Sequence, residues 1–162
     1  MIFSLFLLVL VIVLDQLTKL WVVNSFTLYE SHEIISGFFN LTYLTNKGAA
    51  FGFLAGVTAS WRHYFFLVLA CIALVLLCVA WYRLRKEHLL YGPALALIAG
   101  GAIGNVIDRV RLGAVIDFLD FYVAGHHWPA FNVADSAITV GVSLFLLTNI
   151  LETRQKKIKE EE

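Results

Sequence analysis

Residues 113–136 read GAVIDFLDFYVAGHHWPAFNVADS and form a half-polar bridge between two long apolar runs. The bridge carries Asp117 and, where the next apolar run begins, Asp135. On insertion scales an aspartate at the centre of a membrane-spanning helix costs about 2.5–3.5 kcal/mol. Two carboxylates beside a spanning segment therefore indicate either a function or a specific partner.

The composition around this bridge is that of a membrane protein. Of 162 residues, 60% are hydrophobic and only 15% are charged, and the mean hydropathy is +0.80. Soluble domains are about 45–50% apolar and about 25% charged. A soluble chain this short could not bury so much apolar surface, so we predict one integral membrane domain. The net charge is zero and no basic patch of the kind that nucleic acid requires is present.

Four apolar runs are long enough to cross a bilayer, because a helix needs about 20 apolar residues to span the hydrocarbon core. We therefore predict an all-α membrane protein with four transmembrane helices, and an even number of spans puts both termini on one side. The spans are expected at about 2–23, 64–82, 89–107 and 130–151, with an outer segment at 24–63, an outer bridge at 108–129 and a tail at 152–162.

Basic residues predict the orientation, because cytoplasmic loops carry an excess of Lys and Arg. The loop after the second run and the C-terminal tail are both basic, so we place them, and both termini, in the cytoplasm. The segment 24–63 and the bridge then face outward. The basic residues in question are Arg83, Arg85, Lys86, Arg154, Lys156, Lys157 and Lys159.

The outer segment contains a predicted strand and an apolar stretch. Residues 38–45, FFNLTYLT, are aromatic and β-branched with partial alternation, which favours a strand in a small sheet. Residues 48–54, GAAFGFL, are small and apolar and suit an interfacial segment on a lipid surface.

Polar residues recur near the outer ends of the spans. Asp15 and Lys19 share one helix face at i,i+4. They either anchor the helix at the interface or face inward towards a polar loop or substrate. Asn105 and Arg109, with Asp108 between them, also share a face, and lipid offers such groups no partners. They form either a structural polar cluster or part of a site.

Asp117 and Asp135 are candidates for a catalytic pair. If the two carboxylates converge, repulsion raises one pKa and the pair holds a shared proton near neutral pH. The ionised member then takes a proton from water and the protonated member polarises a carbonyl, which is aspartyl-protease chemistry. Asn132 shares a face with Asp135, and Asp120 competes with Asp117, since spacing does not choose between them.

Other chemistries have weaker support. His126 and His127 are adjacent, whereas a zinc site needs three or four ligands in suitable geometry, and no HExxH motif is present. Ser136 with Lys19 as a base would make a hydrolase, but no sequence feature supports that pairing. A small transporter or channel subunit is the rival of a different class, because ion pathways also use intramembrane polar residues.

The polar residues fall in five blocks that together resemble the bacterial lipoprotein signal peptidase (signal peptidase II) family. The blocks occur in the family's order and span nearly the whole chain. They are DQLTK at 15–19, NKGAAF at 46–51, GGAIGNVIDR at 100–109, VIDF at 115–118 and FNVADS at 131–136.

The resemblance implies an intramembrane aspartyl endopeptidase of the bacterial cytoplasmic membrane, without metal or cofactor, acting near the outer face. Its substrate would be a prolipoprotein in the lipid bilayer, cut just before a diacylglyceryl-modified cysteine. Asp117 and Asp135 would be the catalytic dyad, which removes Asp120 from contention, and Asp15 and Lys19 a structural pair. Substrate binding or support of the dyad would fall to Asn46, Gly48, Asn105, Arg109 and Asn132.

Overall fold

The computed structural model describes residues 1–48 and 61–161, which form four long helices and a small antiparallel sheet. Each helix contains a stretch long and apolar enough to cross a membrane, so the chain is a multi-pass membrane protein. Most of the predicted interfacial stretch 48–54 lies outside the described residues. The elements are α1 (Ile2–Ser25), β1 (Ser31–Ile35), β2 (Phe39–Asn46), α2 (Trp61–Leu84), α3 (Tyr91–Leu112), β3 (Val115–Val123), β4 (His126–His127) and α4 (Val133–Glu161).

Helix α3 lies between the other three helices, and its glycines allow the close approach. A Cβ added at Gly100 would lie 3.0 Å from the Leu8 carbonyl oxygen of α1. One added at Gly101 would overlap the Ala134 carbonyl oxygen of α4. Small residues let helix backbones pack closely where lipid provides no hydrophobic driving force. Neighbouring faces of α3 therefore hold α1 and α4 at fixed positions.

The sheet has the strand order β1-β2-β3-β4, with each strand antiparallel to its neighbour. The predicted strand at 38–45 corresponds to β2. The predicted outer bridge, residues 108–129, is not simply a loop. Helix α3 continues to Leu112, and the sequence VIDFLDFYV then forms the nine-residue strand β3. Its β-branched and aromatic residues favour extended backbone. Ala124 (φ 49°) and Gly125 (φ 78°) turn the chain into β4.

The sheet is attached to the end of α1 by an apolar cluster. Val22 on α1 packs with Ile116 and Phe118 of β3, and all three side chains are buried. The opposite end of the bundle is marked by two other contacts. Arg85 Nη1 donates to Met1 Sδ at 3.5 Å, and the Tyr91 hydroxyl donates to Glu152 at 2.7 Å. The N-terminus and the α2–α3 loop thus lie at one end and the sheet at the other.

A buried lysine connects the helices to the sheet. Lys19 Nζ lies 2.9 Å from Asp15 Oδ2, 2.7 Å from Asp108 Oδ2 and 3.0 Å from Asn105 Oδ1. The Lys19 side chain is only 2% exposed and that of Asp15 is fully buried. The pair faces inward, as one of its two interpretations expected, but Lys19 bonds Asn105 and Asp108 of helix α3 rather than a polar loop or substrate. The pair does not simply anchor the helix end, because Lys19 also binds α3.

Both aspartates extend this ionic cluster to further elements. Asp15 Oδ1 accepts the backbone N–H of Ala134 at 2.9 Å, and so holds the first turn of α4. Asp108 Oδ2 accepts the N–H of Ile116 at 3.2 Å, and so holds the start of β3. The cluster of Asp15, Lys19 and Asp108 therefore fixes α1, α3, α4 and β3 relative to one another.

We predict that Lys19→Met destabilises the protein strongly. The substitution leaves two buried carboxylates without their cation, and breaking a buried ion pair by removing one partner costs about 3–5 kcal/mol. Thermal unfolding in detergent measures the loss, and Lys47→Met makes the same chemical change at an exposed position. The triple variant Lys19→Met, Asp15→Asn, Asp108→Asn should recover part of the loss. Equal stability of the Lys19 and Lys47 variants would contradict the prediction.

Candidate active site

Strand β3 has two different faces, and Asp117 lies on the one that borders a cavity. Successive side chains of a strand point to opposite faces. Ile116 and Phe118 pack towards α1, whereas Val115 and Asp117 line the cavity. Asp117 is only 4% exposed. The carboxylate is thus held at the inner wall of the cavity by the sheet behind it.

Asp120 lies on the opposite face of β3 from Asp117. Its Oδ2 accepts a hydrogen bond from Asn40 Nδ2 at 2.9 Å, and its Oδ1 lies 2.9 Å from His127 Nδ1. Asp120 does not line the cavity that Asp117 borders. The geometry therefore separates the two aspartates that residue spacing alone could not, because three residues along a strand reverse the direction of the side chain.

Asp135 is placed in the first turn of α4 by Asn132, which acts as the helix N-cap. Asn132 Oδ1 accepts the backbone N–H of Asp135 at 2.9 Å, and its own side chain is fully buried. Such a bond satisfies one of the free N–H groups at a helix start. The first turn is also where the helix dipole favours a carboxylate. The local sequence NVADS thus encodes the position of Asp135.

Two asparagine side chains join the carboxylates. Asn132 Nδ2 donates to Asp117 Oδ1 at 2.7 Å, and Asn105 Nδ2 donates to Asp135 Oδ1 at 2.8 Å. The two amides also meet, since Asn132 Nδ2 lies 3.4 Å from Asn105 Oδ1. Lys19 donates to the same Asn105 oxygen, so the ionic cluster orients the amide that holds Asp135.

The remaining predicted site residues, Asn46, Gly48 and Arg109, line the same cavity. Asn46 hydrogen-bonds to Asp117 through its side chain, and its Oδ1 accepts the Gly48 N–H at 2.9 Å. Arg109 Nη2 donates to the Gly48 carbonyl oxygen at 3.4 Å, and its guanidinium lies 5.6 Å from the centre of the Phe66 ring. Arg109 therefore has one edge in the cavity and one face on α2.

The two aspartates border one cavity of about 1040 Å³ together with Asn46, Gly48, Asn105 and Arg109, whereas Asn132 is buried behind its wall. The cavity extends beyond the two aspartates along the start of α4, towards exposed Val140. Its wall is polar near Asp117 and largely apolar elsewhere. Its lining comprises residues 44–48, 128–131, 135, 136 and 138–140 with Asn105, Arg109, Val115 and Asp117.

The environment of Asp117 favours its protonated form. Burial, followed by the negative charge of Asp135, raises the pKa of Asp117 from 3.8 to about 7, against the opposing hydrogen bonds from Asn132 and Asn46. Each unit of pKa corresponds to about 1.36 kcal/mol. Asp117 is therefore half-protonated near neutral pH, which is the condition for a carboxyl pair to supply both an acid and a base.

The described residues form neither a metal site nor a Ser136–Lys19 pair. No group of three His, Cys, Asp or Glu side chains is placed to hold a metal ion within residues 1–48 and 61–161. His127 instead pairs with Asp120 and stacks on Tyr122. The Ser136 hydroxyl donates to the Asn132 carbonyl oxygen at 2.9 Å, while Lys19 is held by its carboxylates.

Sequence reasoning assigned no role to Gln16 or Trp128. Gln16 Nε2 donates to Asp108 Oδ1 at 3.0 Å and adds a second link between α1 and α3. A glutamine next to a buried aspartate in an apolar run was the available signal. Trp128 lines the cavity from the end of the bridge, and no pattern in the sequence distinguished it from an ordinary interfacial tryptophan.

Comparison with known proteins places this chain among peptidases. Residues 7–151 match the family model described as signal peptidase (SPase) II. The lipoprotein signal peptidase of Geobacter sulfurreducens is 52% identical over 145 residues, covering 90% of this chain and 89% of that protein. The one from Syntrophus aciditrophicus is 48% identical over 148 residues, covering 91% of each.

Solved structures agree with the sequence comparison. A bacterial membrane enzyme structure determined by the in meso method at 2.3 Å superposes with a TM-score of 0.84 and 35% identity, covering 94% of this chain and 90% of that chain. A second, at 1.9 Å, gives a TM-score of 0.80 and 34% identity over 90% of each chain. From its sequence and its fold, the chain belongs to the signal peptidase II family.

Proposed function

We propose that this protein removes the signal peptide from prolipoproteins by cutting before a diacylglyceryl-modified cysteine, with Asp117 and Asp135 as the catalytic dyad. The observation that carries the proposal is that both carboxylates border one cavity and are joined through Asn132 and Asn105. The relatives' name supplies the class of substrate. No metal or cofactor is required.

The reaction follows from one proton shared by the two carboxyl groups. A water bound between them loses a proton to the ionised carboxylate and attacks the carbonyl carbon of the scissile bond. The protonated carboxyl donates to the carbonyl oxygen, so that a neutral tetrahedral diol forms. When the C–N bond breaks, the carboxyl group that took the proton from water gives it to the leaving amine, while the other carboxylate takes a hydroxyl proton from the diol. The products are a carboxylic acid and an amine, and the dyad again holds one proton. General acid–base catalysis of this kind contributes about 10²–10⁴-fold.

Asn46, Gly48 and Arg109 are assigned to the substrate backbone. A signal peptide is helical in the membrane, and its scissile amide must be unwound before water can reach it. The unwound N–H and C=O groups then need new partners, because an unmet buried hydrogen bond costs about 1–3 kcal/mol. The Asn46 amide, the Gly48 carbonyl and the Arg109 guanidinium offer both donors and acceptors beside Asp117.

The proposed topology puts both termini in the cytoplasm and the sheet on the outer face of the bacterial cytoplasmic membrane. It is supported by the basic α2–α3 loop and tail. The sheet would form a cradle over the substrate; of the predicted cradle segment 24–63, residues 49–60 lie outside the described part of the chain. The apolar part of the cavity near Val140 would take the lipid chains of the substrate while the peptide bond stays near water.

We predict that Asp117→Asn and Asp135→Asn each lower the rate of cleavage at least about 100-fold, because each removes a proton donor or acceptor from the dyad. The matched control is Asp120→Asn, the same change three residues along the same strand, which should retain most activity. A mobility shift of purified, diacylglyceryl-modified prolipoprotein measures turnover.

Two outcomes of that experiment would contradict the assignment. Near wild-type turnover by either dyad variant would remove that residue from the chemistry, and loss of turnover with Asp120→Asn alone would transfer the role to Asp120. The wild-type enzyme is also assayed after treatment with a chelator. Inactivation by the chelator would support a metal site.

The raised pKa of Asp117 predicts a pH dependence of both activity and stability. Activity should fall as the pH rises through about 7, because the dyad then loses its shared proton. The folded state binds the Asp117 proton more tightly than the unfolded state does, and this difference stabilises the folded state. The stabilisation is complete below pH 3.8 and is lost as the pH rises through about 7.

The variant Asp117→Asn tests the predicted pH dependence of stability, because an asparagine side chain stays neutral at every pH. Its gain in unfolding free energy over the wild type should be larger at pH 8 than at pH 5 by about 1–3 kcal/mol. Chemical or thermal unfolding in detergent at both pH values measures the difference. A gain that is the same at both pH values would show that Asp117 titrates normally.

A further inference from the structure

A shallow, largely open groove lies on α2, away from the candidate active site. It has a volume of about 590 Å³ and runs along the exposed face of a helix that packs mainly against α3. Val75, Val79 and Tyr82 in its wall are 62%, 45% and 79% exposed. The six residues that line the groove are Leu74, Val75, Cys78, Val79, Tyr82 and Arg83.

The groove combines an apolar length with a cation at one end. Four aliphatic or thiol side chains occupy two turns of helix, and Tyr82 and Arg83 close it at the last turn of α2. Within the described parts of the chain, no carboxylate lies at ion-pair distance from Arg83. The neighbouring Arg85 is turned towards Met1 instead.

The position of Arg83 separates this groove from the catalytic cavity. Phe66, near the start of α2, lies under Arg109 at the cavity. Arg83 belongs to the last turn of the same 24-residue helix, which spans about 30 Å or more at 1.5 Å per residue. Arg83 therefore lies at the end of the bundle marked by Met1 and Arg85, where the spanning helices meet the lipid headgroups.

We infer that this groove binds an anionic phospholipid, with one acyl chain along Val75, Cys78 and Val79 and the phosphate on Arg83. The acyl chain and the phosphate of such a lipid each match one part of the groove. An acyl chain fills an apolar groove at membrane depth, and a guanidinium binds phosphate through paired hydrogen bonds. Tyr82 has the amphipathic ring that is typical of the headgroup level. The inference is independent of the proposed function.

A second copy of the chain fits the groove less well than a lipid does. Two copies inserted with the same topology would meet through this face about a twofold axis along the membrane normal. Such an axis would bring Arg83 next to Arg83 of the other copy at the same depth. Two unpaired cations repel, whereas a phosphate neutralises the charge.

Native mass spectrometry of the purified full-length protein tests the inference. The protein is titrated with phosphatidylglycerol and, separately, with zwitterionic phosphatidylcholine of the same acyl chains. We expect preferential binding of phosphatidylglycerol, and about fivefold weaker binding in Arg83→Gln, the loss expected for one cationic contact at a lipid surface. Val79→Trp fills the groove and should weaken binding of both lipids.

Arg111→Gln is the matched control, because it removes the same charge from an exposed position at the other end of the bundle. It should bind phosphatidylglycerol as the wild type does. Equal binding of the two lipids, or an equal loss in the Arg83 and Arg111 variants, would overturn the inference. So would a dimer that Val79→Trp dissociates, since a second copy would then occupy the groove. Unchanged unfolding temperatures would exclude misfolding as the cause.

Discussion

The ammonium of Lys19 and the carboxylates of Asp15 and Asp108 depend on one another for their place in the membrane. A lone charge at that depth is costly, and lipid offers no group to satisfy it. Because the three groups come from α1 and α3, and because the aspartates also hold the first turn of α4 and the start of β3, none of these elements can shift alone. A network made for charge neutralisation thereby becomes the frame on which two further carboxylates are positioned.

The same network influences the protonation of Asp117. A cation paired directly with Asp117 would favour the ionised form and remove the shared proton. Lys19 is instead bound by two other carboxylates, and its charge is the weakest of the influences that lower the pKa of Asp117. Among the described residues, the neutral amides of Asn132 and Asn46 bond to Asp117 and orient the carboxyl without neutralising it. Burial can then raise its pKa to about 7.

Hydropathy and local pattern were sufficient to predict the four helices and strand β2, because each of these signals is contained in a short window of sequence. The sequence also identified the polar residues of the site, because they lie near the ends of the predicted spans. The motifs of the family then indicated which of them belong to the site. Residue spacing left Asp117 and Asp120 tied, and only the family resemblance chose between them. The structure adds a physical reason, because VIDFLDFYV is a strand and alternation puts the two side chains on opposite faces. The bonds of Asn132 to Asp117 and of Asp15 to Ala134 join residues far apart in sequence or on different elements, and no local pattern contains them.

The two proposed catalytic carboxylates come from structurally different places, and the difference suits hydrolysis at a membrane. Asp117 lies on a strand outside the spanning segments, backed by the sheet and by the end of α1. Asp135 lies in the first turn of α4, whose following turns enter the apolar region. With the proposed topology, a cavity between a sheet and a helix start would be open to water on one side and to lipid on the other. A pair placed at the middle of the bundle would lack the water, and a pair on the sheet alone would lack contact with a substrate that remains in the bilayer.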